Sequence, residues 1–169
     1  MKNFLIVLCA LLLIGGIGCN KKNPSSPSDD VRTMSLMASN SGILGIDFTV
    51  AGGASVQPAN SDMNIDGGEW FYVTNGTRGY YTGSSSWSDV MQAPAAGSFS
   101  SDTTTAVQPA GTPIDSTFVN KIWVWITQEG NYVKFQITGI EGGIRANPPT
   151  DPKYTFKYFI APLGTTQFK

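Results

Sequence analysis

The sequence predicts an all-β protein, a single sandwich or barrel-like domain of many short, mostly antiparallel strands. Three observations lead to it. Apolar and polar residues alternate with a period of two in several short segments, the pattern of a strand with one face buried. The chain has 19 glycines in 169 residues and 11% aromatic residues, but only 14% charged residues, against about a quarter in ordinary domains. Beyond residue 40 no segment has the apolar spacing of a three-turn amphipathic helix, and SWSDVM (86–91) suits one turn at most.

The elements follow in order. ILGIDFTV (43–50) is short, apolar and closed by Gly52-Gly53, and is expected to be a strand. EWFYVT (69–74) runs into Asn75-Gly76, the strongest short hairpin signal, and then into the aromatic segment Thr77 to Tyr81. TFVNKIWVWITQ (117–128), the loop Glu129-Gly130-Asn131 and YVKFQITGI (132–140) form the clearest hairpin. A last strand, KYTFKYFIA (153–161), follows the proline-rich connection 147–152. Alternation puts Ile122, Val124 and Ile126 on one face, with Val133, Phe135 and Ile137 as the partner row. Trp123 and Trp125 point the other way, with Tyr132, Lys134 and Gln136. In the last strand Tyr154, Phe156, Tyr158 and Ile160 lie together.

The N-terminus is organised differently. Lys2 precedes an unbroken apolar run from Phe4 to Ile14, followed by Gly15-Gly16-Ile17-Gly18-Cys19. A basic start, a short apolar run and a small-residue exit make a secretory signal peptide, residues 1–18. The run is shorter than the roughly 20 apolar residues that span a bilayer. The Ile17-Gly18-Cys19 junction resembles the lipobox of bacterial lipoproteins, although Gly16 stands where Leu or Val is usual. The chain has two cysteines, Cys9 and Cys19, so after cleavage only Cys19 remains, as an acylation site and not as a disulfide partner. Several acyl chains, palmitate among them, would make a stable anchor. Asn20 is neutral and gives no reason for retention at an inner membrane, so the outer membrane is the expected address. Residues 19–41, rich in Ser, Pro, Asn and Asp, are expected to be a lipidated, disordered tether, and residues 42–169 the all-β domain.

Removing the first 18 of 169 residues leaves 151, one domain's worth. The formal charge of −1 and the lack of a basic block beyond Lys21-Lys22 argue against nucleic acid. An enzyme is not expected. Histidine is absent, no mature cysteine remains beyond the anchor, no phosphate loop opens a helix, and no spacing among the acids selects a catalytic pair.

Two constellations could bind something. Asp62-Met63-Asn64-Ile65-Asp66-Gly67 matches the opening of a calcium loop, with Asp62, Asn64 and Asp66 as alternate oxygen ligands. Its twelfth position is Val73 and no helices flank it, so a turn between strands is the preferred reading. The second is aromatic: Trp70, Tyr72, Tyr80, Tyr81, Trp87, Trp123 and Trp125 are many large rings for one domain. An exposed aromatic sheet face stacks on sugar rings or lines a pocket for flat ligands. Trp123 and Trp125 are the candidates there, unless another layer covers them.

Asn120 to Ile137, NKIWVWITQEGNYVKFQI, and the terminal Tyr154-Thr155-Phe156-Lys157-Tyr158 resemble the late strands of the HmuY-type heme-binding lipoproteins of Bacteroidetes-like bacteria. Asn60-Ser61-Asp62-Met63 and Thr74-Asn75-Gly76 are similar to that family's Trp-Asp strand and Asn-Gly turn, with Ser61 in place of the tryptophan. The resemblance spans 43–169. It implies a many-stranded outer-membrane lipoprotein that binds heme through two axial His or Met side chains. With histidine absent, the resemblance leaves methionine of its two ligand types, and Met91 in the mid-chain loop is the candidate. The expected function is thus a non-enzymatic ligand-binding lipoprotein with heme or another porphyrin as the implied ligand. The alternative is a glycan-binding, adhesive or structural envelope module using an aromatic sheet face.

Overall fold

The computed structural model describes residues 30–39, 41–50, 53–143 and 148–169. Two antiparallel sheets pack as a sandwich, the fold class the alternation predicts. One sheet holds β1 (Arg32–Met37), β9 (Thr150–Ile160), β8 (Tyr132–Gly143), β7 (Ile122–Ile126) and β6 (Arg78–Tyr81), in that order. The other holds β3 (Ala54–Val56), β2 (Ile43–Asp47), β4 (Met63–Asp66) and β5 (Trp70–Val73). The segment Trp87–Asp89 makes a single 3-10 turn.

Four expectations need correction. Arg32–Met37, expected within the tether, is an edge strand paired with β9 from Arg32 opposite Tyr158 to Met37 opposite Lys153. Its alternation is weak because an edge strand buries little, and here only Met34 is fully enclosed. The Asn75-Gly76 turn does not close a hairpin. β5 pairs with β4 and β6 with β7, so the turn carries the chain from one sheet to the other. Thr77 N–H donates to the Thr74 carbonyl across this corner, with Gly76 at φ 85°. The hairpin in this region joins β4 and β5 instead, through Gly67 and Gly68 at φ 53° and 69°, values that suit glycine.

The third correction concerns the faces. β7 and β8 do form the expected hairpin, but Trp123 stands opposite Phe135 and Trp125 opposite Val133. Directly opposed residues share a face, so the tryptophans belong with Val133, Phe135 and Ile137 in the core between the sheets. Ile122 and Val124 instead face outward, beside Phe159 of β9, under a second layer formed by Val90, Phe99 and Phe168. Both faces of β7 are buried, so polarity no longer marks which face is inner.

Phe71 of β5 is the hub of the inner core. Its ring centroid lies 5.3 to 6.2 Å from those of Trp123, Phe135, Tyr154 and Phe156. Trp123 stacks on Phe135 at 5.4 Å with 4° between planes. The β5 edge is capped by the segment 107–114: Val107 N–H donates to Phe71 O at 2.8 Å, and Ile114 N–H to Glu69 O at 2.8 Å. An edge closed this way cannot recruit another strand.

The last correction is Lys134, expected on the face of Trp123 and Trp125 but standing opposite Val124 on the other face. Its side chain is fully buried under the second layer, and its amine donates to the carbonyls of Trp87, Val90 and Lys169 at 3.1, 2.9 and 2.8 Å. The amine also lies 4.0 Å from the centroid of the Trp87 ring. Burial, and secondarily the nearby Lys157, lowers its pKa to about 8.

Candidate functional site

The candidates separate by place in the fold. Trp123 and Trp125 are fully enclosed between the sheets, with no surface exposed to solvent. Trp125 Nε1 donates to the main-chain oxygen of Asp62 at 2.7 Å, and Trp123 Nε1 has no partner among the described residues. Cys19, the lipidation candidate, lies outside the described residues.

The calcium-loop pattern is a strand, not a loop. Asp62 leads into β4, and Asn64 and Asp66 sit on it. The Asp62 carboxylate is turned inward, where Oδ2 accepts from Phe48 N–H at 2.9 Å and Oδ1 from Gln128 N–H at 3.1 Å. Burial pushes its pKa up to about 7, against the pull of those two N–H donors. A carboxylate so employed cannot share an ion with Asn64 and Asp66. Among the described residues no group of three or more His, Cys, Asp or Glu is placed to hold a metal.

Met91 is the candidate that stays accessible, at 47% exposure in the loop beyond the Trp87–Asp89 turn. Its carbonyl accepts from Phe168 N–H at 2.8 Å, which fixes the loop against the C-terminal segment. Met34 and Met63 are enclosed in the inner core, and Met37 is exposed at the end of β1.

Two clefts are lined by described residues alone. One, of about 200 Å³, lies at an end of the sandwich and includes Glu69, Ile114, Asp115, Ile140, Pro152 and Tyr154 in its lining. The Tyr154 hydroxyl donates to Gly68 O, and its pKa is raised by burial first and by Glu69 and Asp115 next. The other cleft, of about 260 Å³, lies on the outer face of the four-stranded sheet, lined by Ile43, Asn64, Asp66, Tyr72, Thr103 and Thr104.

The register of β4 and β5 explains that outer face. Asn64 stands opposite Tyr72, and Asp66 opposite Trp70. Phe71 and Val73 alternate inward to the core, which leaves Trp70 and Tyr72 half-buried on the outside. The sequence signal for this was the order Trp-Phe-Tyr-Val. It was not resolved from the other rings because only the sheet pairing tells which half of the alternation is covered. Thr103 and Thr104, which carried no sequence signal, form the wall. Asp102 braces them: its Oδ1 accepts from Thr104 N–H and Oγ1 at 2.8 and 2.7 Å, and its Oδ2 from Thr105 Oγ1 at 2.8 Å.

No protein-family model matches the sequence, and no curated protein matches it. Among solved structures the chain is similar to the apo HmuY analog of Tannerella forsythia, at 10% identity and a TM-score of 0.47, over 77% of this chain and 97% of that one. It is similar to a candidate lipoprotein of Bacteroides fragilis, at 12% identity and a TM-score of 0.49, over 78% and 90%. It is also similar to a candidate HmuY-like heme-binding protein of Bacteroides vulgatus, at 16% identity and a TM-score of 0.48, over 76% and 91%.

Proposed function

We propose that this chain is a non-enzymatic binding lipoprotein, moored to the outer membrane through an acylated Cys19 and presenting a β-sandwich to a ligand. The observation that supports the anchoring is the Ile17-Gly18-Cys19 junction after the apolar run Phe4 to Ile14. Arg32 begins the folded edge thirteen positions after Cys19, so even a fully extended connection spans at most about 45 Å. A short reach suits a module that works close to the membrane surface. The binding role is supported by what the sandwich leaves outside: half-buried rings, an exposed methionine and two open clefts.

Heme or another porphyrin is the ligand that the HmuY-type resemblance implies. The chain's own chemistry gives it Met91, an accessible thioether, and no histidine. Neither described cleft, at about 200 and 260 Å³, reaches the roughly 300–1,000 Å³ of pockets that enclose drug-sized ligands, so neither would enclose a porphyrin. Hemin titration of the full chain tests this. A Soret shift that Met91→Ala weakens is expected, and an unshifted Soret band removes heme. Metabolic labelling with radioactive palmitate, lost in Cys19→Ala, is expected for the anchor. Unlabelled wild-type protein would remove the anchor.

A further inference from the structure

We infer that the outer face of the four-stranded sheet is a binding platform for neutral oligosaccharides, with Trp70 and Tyr72 as its stacking rings. This rests on reading the protein as a binding module, and not on heme.

Three features of that face converge. Trp70 and Tyr72 are two positions apart on β5, both half-buried, with their outer sides toward solvent. Residues two apart on a strand are about 7 Å apart and on the same face, so the two rings are placed to contact successive sugar units. Aromatic rings offer an apolar surface with a negative face, which suits the C–H face of a pyranose. Polar groups for hydroxyls stand beside them: Asp66 opposite Trp70 and Asn64 opposite Tyr72. The Asp66 carboxylate and the Tyr72 hydroxyl make no hydrogen bond or ion pair with the described residues, so their polar capacity is available.

The cleft is also bounded, as a site with a preferred ligand pose requires. Ile43, 52% exposed, stands opposite Asp66 on the β2 side. The Thr103-Thr104 turn closes the other side, and the Asp102 hydrogen bonds hold it rigid. At Gly45, opposite Asn64, a Cβ would fall 2.7 Å from Val56 O and 3.0 Å from Pro58 Cα. The segment 56–61 therefore lies over the face there and ends the groove.

Charge selects the sugar class. The cleft lining contains one carboxylate and no lysine or arginine. Uronic-acid and sialylated chains would meet Asp66 without a cation to compensate, whereas neutral hydroxyls can donate to it.

The test titrates the detergent-solubilised full chain with cellohexaose, maltohexaose, xylohexaose and mannohexaose, and with hexagalacturonate, followed by tryptophan fluorescence and calorimetry. At least one neutral hexaose is expected to bind at up to millimolar concentration, and hexagalacturonate is not. Trp70→Ala and Tyr72→Ala should each weaken binding roughly tenfold or more with unchanged melting, and Asp66→Asn by a smaller factor. Trp87→Phe, remote from the face, should bind as wild type. No binding by any neutral hexaose, stronger binding of hexagalacturonate, or full binding by the Trp70→Ala/Tyr72→Ala double variant overturns the platform. Those results leave palmitate labelling and hemin binding untouched, so the two readings fail separately.

Discussion

The indole N–H of Trp125 donates to the main-chain oxygen of Asp62 at 2.7 Å, tying β7 of one sheet to the residue that leads into β4 of the other. Asp62 N–H in turn donates to Ile46 O at 2.8 Å, and Gln128 Nε2 to Ser61 O at 3.0 Å. Two residues that looked like ligand-binding candidates thus form the junction of the sandwich. Four predictions follow from this and related contacts.

Trp125→Phe should destabilise the protein more than Trp123→Phe. Both variants lose similar buried area, but only the first leaves a buried carbonyl without its donor, which costs about 1–3 kcal/mol. Trp123 Nε1 has no partner to lose among the described residues. Urea denaturation of the two variants checks the order, and equal midpoints would refute it.

Stability should fall as pH rises from about 4 to about 7. Asp62 in the fold holds its proton up to about 7, against an ordinary 3.8, so the folded state binds a proton that the unfolded chain has already released. The contribution is complete below pH 4 and lost above 7. It amounts to something on the order of 4 kcal/mol at about 1.4 per pH unit. Denaturation at pH 4, 5.5 and 7.5 should show that slope in the wild type and its loss in Asp62→Asn.

Lys134→Met should loosen the C-terminal segment. The substitution leaves the carbonyls of Trp87, Val90 and Lys169 without their common donor. Amide exchange at Phe168, whose N–H donates to Met91 O, should accelerate by roughly tenfold or more. The pH dependence should change too. Wild-type stability rises between pH 8 and 10.5, where the unfolded chain keeps a proton that the folded amine has lost. The variant lacks that rise.

Gly79→Ala should cost about 1–3 kcal/mol by overpacking. A Cβ there would stand 2.6 Å from Cζ3 of Trp125, a ring locked by its own hydrogen bond. A melting temperature equal to wild type would show that the indole has room to move.

The sequence by itself determined the all-β class, the β7–β8 hairpin and the shared face of Tyr154, Phe156, Tyr158 and Ile160, because period-two alternation and glycine turns are local properties. The proposed leader, residues 1–18 before Cys19, is a reading of composition alone. Tertiary structure decided which face of each strand became the inside. On β7 both rows are apolar and both are covered, so only pairing with β8 assigns Trp123 and Trp125 to the core. On β5 the same alternation leaves Trp70 and Tyr72 half-buried outside, because no second layer of the described residues encloses them. Burial is a property of what packs on top, and a chain read one segment at a time carries no record of its covering layer.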